Sequence, residues 1–377
     1  MIDYSTEPFD IRNGTLLRIE GAVIFKALLV ALPAAIMTVV LMTIYDYADA
    51  DGNFVENSGM DQIKATQLWK ALTASLAFLI GFRTNKAYRR FWDGTTLLHQ
   101  MFGEWFDASS CLFAFTHLAR KKKPVEVQEF RLTLIRLMSL CHGSAMDEIA
   151  ETSTAEPYPC LDLAGLSQAT LRAVLTECPQ RNVTFNQVEI IIHLIQNLIV
   201  EGQASGAIEI PPPILSRVFQ TLSRGQVNLA NCKKLMATLF PFPYANLISW
   251  LLVCSMVGTP LTMASVFDSD HKVLGFVFTL LPLFGLVSLN IIAGEIELPF
   301  GGDPNDLPLR HFQEHMNNTL LMLIHEGSNI VPNVNVAEYT RDFWTLRTSF
   351  STKRPIDFIK APAARAAAAL PAPPPAP

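Results

Sequence analysis

Four clusters in this chain have residue types and spacings that could do chemistry. The first is the turn Gly301-Gly302-Asp303-Pro304-Asn305-Asp306. Two carboxylates three residues apart in a turn, with carbonyls nearby, suit a hard cation such as calcium. The same two side chains could instead accept from the free N–H groups of a helix starting near Leu307. The second is His311-Phe312-Gln313-Glu314-His315, which fits the HxxEH zinc-peptidase pattern; histidines four apart share a helix face and could hold zinc. No other catalytic signature accompanies it, and surface or interface histidines are the plainer reading. The third, Asp49-Ala50-Asp51-Gly52-Asn53, echoes a calcium-binding EF-hand loop, but its first position would be Tyr47 and its twelfth Ser58, so it lacks the bidentate glutamate. The fourth is cationic: Arg83, Lys86, Arg89 and Arg90 follow an apolar stretch. They could form a positive vestibule that concentrates anions, or mark the face of a membrane. No GxSxG, P-loop or dinucleotide fingerprint occurs, and nothing calls for an organic cofactor or a nucleic acid.

The elements that must position these residues are mostly apolar helices. Half the residues are hydrophobic and 17% are charged, against about 25% charged in soluble domains. The apolar residues are clustered. Gly21 to Tyr45 is interrupted only by Lys26, while Leu247 to Phe267 and Val273 to Gly294 carry no charge at all. Each reaches the roughly 20 residues that cross a bilayer. Leu68 to Phe82 is shorter and carries Lys70, and between clear spans it reads as a fourth. The expected spans are about 22–45, 68–90, 245–267 and 272–294. The first run is too long for a signal-peptide core and lacks a small-residue cleavage site.

Charge sets the expected topology. The segment 46–61 carries Asp46, Asp49, Asp51, Glu56 and Asp61, whereas Arg83 to Arg90 and Arg120-Lys121-Lys122-Lys123 are basic. Basic flanks stay cytoplasmic. Asp268-Ser269-Asp270-His271 would then be an outer turn. Both termini would be cytoplasmic (or stromal in a plastid), in a plasma or thylakoid membrane. The sequons at Asn13, Asn182 and Asn317 would go unused. Helical periodicity continues over 91–141, 130–146, 167–175, 185–201, 214–239 and 307–326. Glu151 to Pro159 reads as a loop, and Pro211-Pro212-Pro213 and Pro241-Phe242-Pro243 as breaks. The expected fold is an all-α multi-pass membrane protein with a large helical cytosolic region, in one domain over 1–355. Residues 356–377 are an alanine–proline tail or linker to an associated regulatory domain. The six cysteines form no CxxC pair and read as small apolar residues in reduced surroundings.

Two long segments carry a resemblance. GFRTNKAYRRFWDG, Gly81 to Gly94, and IELPFGGDPNDLPL, Ile296 to Leu309, resemble the bestrophin family of anion channels, in that family's order. The PFGGDPNDLPL turn is similar to the bacterial, plastid and algal branch. The resemblance implies a homopentamer around a central pore, passing chloride and other small monovalent anions such as bicarbonate through the lipid bilayer. It implies a hydrophobic neck at Ala74, Phe78 and Phe82, which the four-residue spacing puts on one helix face. Arg83 and Lys86 would open the anion vestibule. It implies a cytosolic aperture at Ile214, with Ile210 as second choice beside the proline run. It also implies calcium ligands at Asp303, Asp306, Glu295 and the Leu298 carbonyl. Passive flow needs no catalytic residue, so an enzyme is not expected. Two readings of other classes stand beside it: a zinc hydrolase on His311, Glu314 and His315, and a non-conducting membrane output module coupled to another domain.

Overall fold

The computed structural model describes residues 21–50, 59–150, 157–175, 177–178, 183–184, 186–267, 269–334, 341–349, 351 and 355. The acidic residues of 51–58, the EF-hand-like loop beyond Ala50, most of the loop after Glu151, the sequons at Asn13 and Asn182, and the tail lie outside them. The chain divides into two compact units, 1–329 and 330–377. In the first, α1 is Ile24–Ala50, α2 Gly59–Phe115, α3 Pro124–Ile149, α4 Gln168–Val174 and α5 Gln187–Ala204. After these come α6 Pro212–Ala237, α7 Phe242–Val266, α8 Lys272–Ile296 and α9 Leu309–Ile324. The strand content of the described residues is one antiparallel pair, Glu177–Cys178 with Val183–Thr184. In the second unit, α10 (Phe343–Thr348) starts at Asp342, which accepts from the Thr345 N–H at 2.8 Å.

Among the described residues, three helices are long and apolar enough to cross a membrane: Ile24–Tyr47 of α1, and α7 and α8. The expected second span is built differently. It is the first part of α2, a single helix of 57 residues without a proline. At 1.5 Å per residue such a helix is about 85 Å long, far more than the ~30 Å apolar core of a bilayer. Its apolar stretch packs with the three apolar helices. Leu76 and Ile80 are buried with Ala27 of α1, Ile248 and Leu252 of α7, and Leu286 and Val287 of α8. Between α1 and α8, Thr38 and Thr279 share a hydrogen bond of 2.8 Å, which satisfies both hydroxyls in apolar surroundings.

The rest of α2 enters a second core with α3, α5, α6 and α9. Trp105, Leu134, Met138, Ile191, Ile195, Leu222, Met316 and Leu320 are buried there. Trp105 lies across α6, where its Nε1 donates to the Leu222 carbonyl at 3.3 Å. A Cβ on Gly225 would stand 2.2 Å from that nitrogen, so the crossing requires glycine. The helix predicted over 91–141 is in fact two. α2 ends at Phe115, a short 3-10 turn over Ala119–Lys121 follows, and α3 starts afresh at Pro124, which needs no N–H partner in a first turn and holds Lys123 outside helical geometry (φ −137, ψ 65). Arg131 of α3 seals the stop, donating to the Phe113 carbonyl at 3.0 Å and to Thr116 Oγ1 at 2.8 Å. Cys111, Cys141, Cys160, Cys232 and Cys254 are free thiols. Burial pushes Cys160 up to about 11 and Cys232 up to about 12, which keeps both protonated and inert.

Candidate functional site

The two long motifs meet. α2 presents one face to the molecule and leaves the other open. Leu76, Ile80 and Ala87 are at most 1% exposed, whereas Phe78 is 73% and Phe82 40% exposed. Ala74 is exposed on the same side. Large aromatic side chains seldom stand clear of a core without a partner to meet, so this face is a contact or lining surface. The Phe82 ring is met on one edge by Tyr244 at 6.1 Å and Phe240 at 6.3 Å. The Lys86 ammonium lies 5.5 Å from its centroid.

On the buried side, the turn after α8 holds α2 in place. Arg83 donates to Asn290 Oδ1 at 2.9 Å and to Glu297 Oε2 at 3.1 Å. The other carboxylate oxygen, Oε1, accepts from the Phe240 N–H at 2.9 Å, where α6 passes into α7. Arg90, two turns further on, donates from Nε to the Glu297 carbonyl at 3.0 Å and from Nη2 to the Leu235 carbonyl at 2.5 Å, and bonds the Thr238 carbonyl as well. One turn later α2 needs Gly94. A Cβ there would lie 3.0 Å from Pro299 Cγ and 3.1 Å from the ring of Phe300, which is fully buried. Glu297 itself is 8% exposed. One buried carboxylate thus ties the long helix, the end of α8 and the α6–α7 junction together.

Arg83 therefore does not open into a vestibule. Its side chain is 17% exposed and bound to Glu297 on the inward face. The reason is angular: Arg83 is one residue past Phe82, about 100° around the helix. Lys86 is exposed, as expected for that role.

The acidic turn is closed on itself. Asp306 Oδ2 accepts from the Asp303 N–H at 2.6 Å, and the Leu307 N–H bonds the Pro299 carbonyl at 2.9 Å. Capping of α9 by Asp303 or Asp306 does not occur. α9 begins after Pro308, with no side-chain cap, because the proline lengthens the turn before the helix can start. Glu295 is engaged elsewhere. Its Oε1 pairs with the Lys26 ammonium at 2.7 Å, and its Oε2 accepts from Asn305 Nδ2 at 3.2 Å. Asn305 also binds the Gly21 carbonyl at 3.0 Å. A calcium ion needs roughly six to eight oxygens. Here Glu295 already faces a cation and Asp306 a backbone N–H, and among the described residues no three His, Cys, Asp or Glu side chains group to hold a metal. Asp303, Asp306, Glu295 and the Leu298 carbonyl do not fit calcium in this arrangement.

The two aperture candidates separate. Ile214, in the first turn of α6, is 50% exposed, whereas Ile210 packs against the large core. His311, Glu314 and His315 are on the surface. The His315 ring stacks on Phe102 at 4.8 Å, and Glu314 lies 3.5 Å from Arg310 Nε. Sequence reasoning missed Glu297 and Asn290, although Glu297 lies inside the IELPF motif. It also missed a buried polar net around His142. Nδ1 of that histidine bonds Gln313 Oε1 at 2.6 Å, and Gln313 Nε2 donates to the Ser139 and Pro159 carbonyls at 3.0 Å each. Burial lowers the His142 pKa to about 4, so the imidazole is neutral.

A family model described as Bacterial/Fungal Bestrophin protein matches residues 8–322. A voltage-dependent anion channel-forming protein of Nostoc sp. is 33% identical over 122 residues, which are 32% of this chain and 36% of that protein. The match thus spans about a third of that relative's length. Among solved structures, a bacterial bestrophin homologue from Klebsiella pneumoniae, 20% identical, covers 80% of this chain and 98% of its own with a TM-score of 0.59. A variant of it covers 81% of this chain and 100% of its own, also at 0.59.

Proposed function

The chain belongs to the bacterial and fungal bestrophin family, and on that premise we propose that it is a passive anion channel. Five copies surround one pore, and the permeant ions are chloride and other small monovalent anions. The observation that carries the reading is the exposed Phe78–Phe82 face on a helix long enough to line a path through and beyond the membrane. Ala74, Phe78 and Phe82 form the neck. Apolar rings narrow the path and gate it by dewetting. Phenylalanine edges are weakly positive, so edge-on rings favour an anion without a ring of full charges. Ile214, exposed at the start of α6, sets the second constriction. The basic residues after the neck support a cytoplasmic position for the bulk of the helical region.

The test is chloride flux from liposomes holding the purified protein, with a potassium ionophore setting the potential. Anion-selective flux is expected, and Phe78→Ala/Phe82→Ala should raise it several-fold. A folded protein that passes no anion, and whose double variant passes none either, would overturn the channel reading.

A further inference from the structure

Four basic side chains follow the neck within eight residues of Phe82, and they are not equivalent. Arg83 and Arg90 are consumed by Glu297 and by the carbonyls of α6. Lys86 leans on the Phe82 ring. Arg89 is exposed and, among the described residues, makes no hydrogen bond, ion pair or ring contact. Its azimuth is set by the helix. At 100° per residue, the seven residues from Phe82 fall about 20° short of two turns, and the eleven from Phe78 run about 20° past three. Arg89 therefore stands between the two phenylalanines in direction, about 10 Å beyond Phe82 along the axis. Whatever space Phe78 and Phe82 face, Arg89 faces too. The nearest acid along the helix is Asp93, exposed one turn on and about 40° away in direction, and no ion pair joins the two. We propose that Arg89 is the principal charge-selecting residue of the conduction path, a ring of unpaired guanidinium groups that concentrates anions at the inner mouth of the neck.

This rests on the channel reading above. A guanidinium is suited to the role because it stays charged at any working pH and is more weakly hydrated than an ammonium. It is absent from the packing, so its removal should leave the fold intact. The bland alternative is an arginine that only marks the membrane surface. It predicts no effect on permeation.

The experiment uses the full chain in planar bilayers, with single-channel conductance and reversal potential under a salt gradient. R89Q should lower conductance at least about threefold at ~20 mM chloride, where the Debye length exceeds 20 Å. The deficit should vanish at 1 M, where it is about 3 Å. R89E should move the reversal potential toward the cation side, R89K should behave as wild type, and Asp93→Asn should raise low-salt conductance. Conducting R89Q and R89E channels with wild-type conductance at low salt and unchanged reversal potential would overturn the proposal while leaving the channel reading intact. No current from the wild type or from Phe78→Ala/Phe82→Ala would overturn both.

Discussion

Glu297 offers the sharpest test of how the two motifs cooperate. Replacing it with alanine strands two groups: Arg83 Nη2, now 3.1 Å from the carboxylate, and the Phe240 N–H, now 2.9 Å away. Two unit charges at that separation attract by about 5 kcal/mol at an effective dielectric constant of 20. Desolvation offsets part of this, and breaking a buried pair from one side costs about 3–5 kcal/mol. Arg83 keeps Asn290 and is 17% exposed, which favours the lower end. The expected loss is therefore about 3 kcal/mol, or a fall in Tm of about 4 °C for a chain of this size. Thermal unfolding of the detergent-purified protein, followed by tryptophan fluorescence, measures it. Glu297→Gln keeps an acceptor for Phe240 and should lose about half as much. Arg83→Met with Glu297→Leu removes both charges and should recover most of the loss, since an apolar pair can replace a buried ion pair. A Tm for Glu297→Ala within about 1 °C of wild type, or a double variant equal to the sum of the singles, would refute the reasoning.

Two further outcomes follow from packing and burial. Gly225→Ala puts a methyl 2.2 Å from Trp105 Nε1 and 2.4 Å from Cδ1. It should cost about 1–3 kcal/mol and shift the Trp105 emission, and an unchanged Tm would show that α6 can slide. His142 is neutral in the folded protein with its pKa at about 4, while the unfolded chain titrates near its ordinary 6.5. Its contribution is complete above pH 6.5 and is lost as pH falls toward 4, because only the unfolded state takes up the proton. Up to about 3 kcal/mol is involved. His142→Asn keeps a donor for Gln313 and should flatten Tm against pH between 7 and 4.5. A parallel fall in both proteins would assign the acid sensitivity elsewhere.

Much of this protein was legible before any coordinates. The apolar runs of α1, α7 and α8 are written in composition, because a bilayer leaves a helix of that length few alternatives. That Phe78 and Phe82 stand on one exposed face was legible because residues four apart on a helix must share a side, whatever they later meet. What could not be read was how α2 continues. Nothing in Leu68 to Phe82 says that the helix runs unbroken to Phe115, since that depends on the second core closing around Trp105. Nor could neighbours in sequence reveal partners more than 200 residues away. Arg83, Lys86, Arg89 and Arg90 look alike in a row. The fold sorts them by azimuth, turning Arg83 and Arg90 toward Glu297 and leaving Lys86 and Arg89 outside. The acidic turn shows the same division. Its carboxylates are plain in the sequence, but which cation they face is a matter of tertiary contact, and for Glu295 it is the ammonium of Lys26, brought from the start of the first helix.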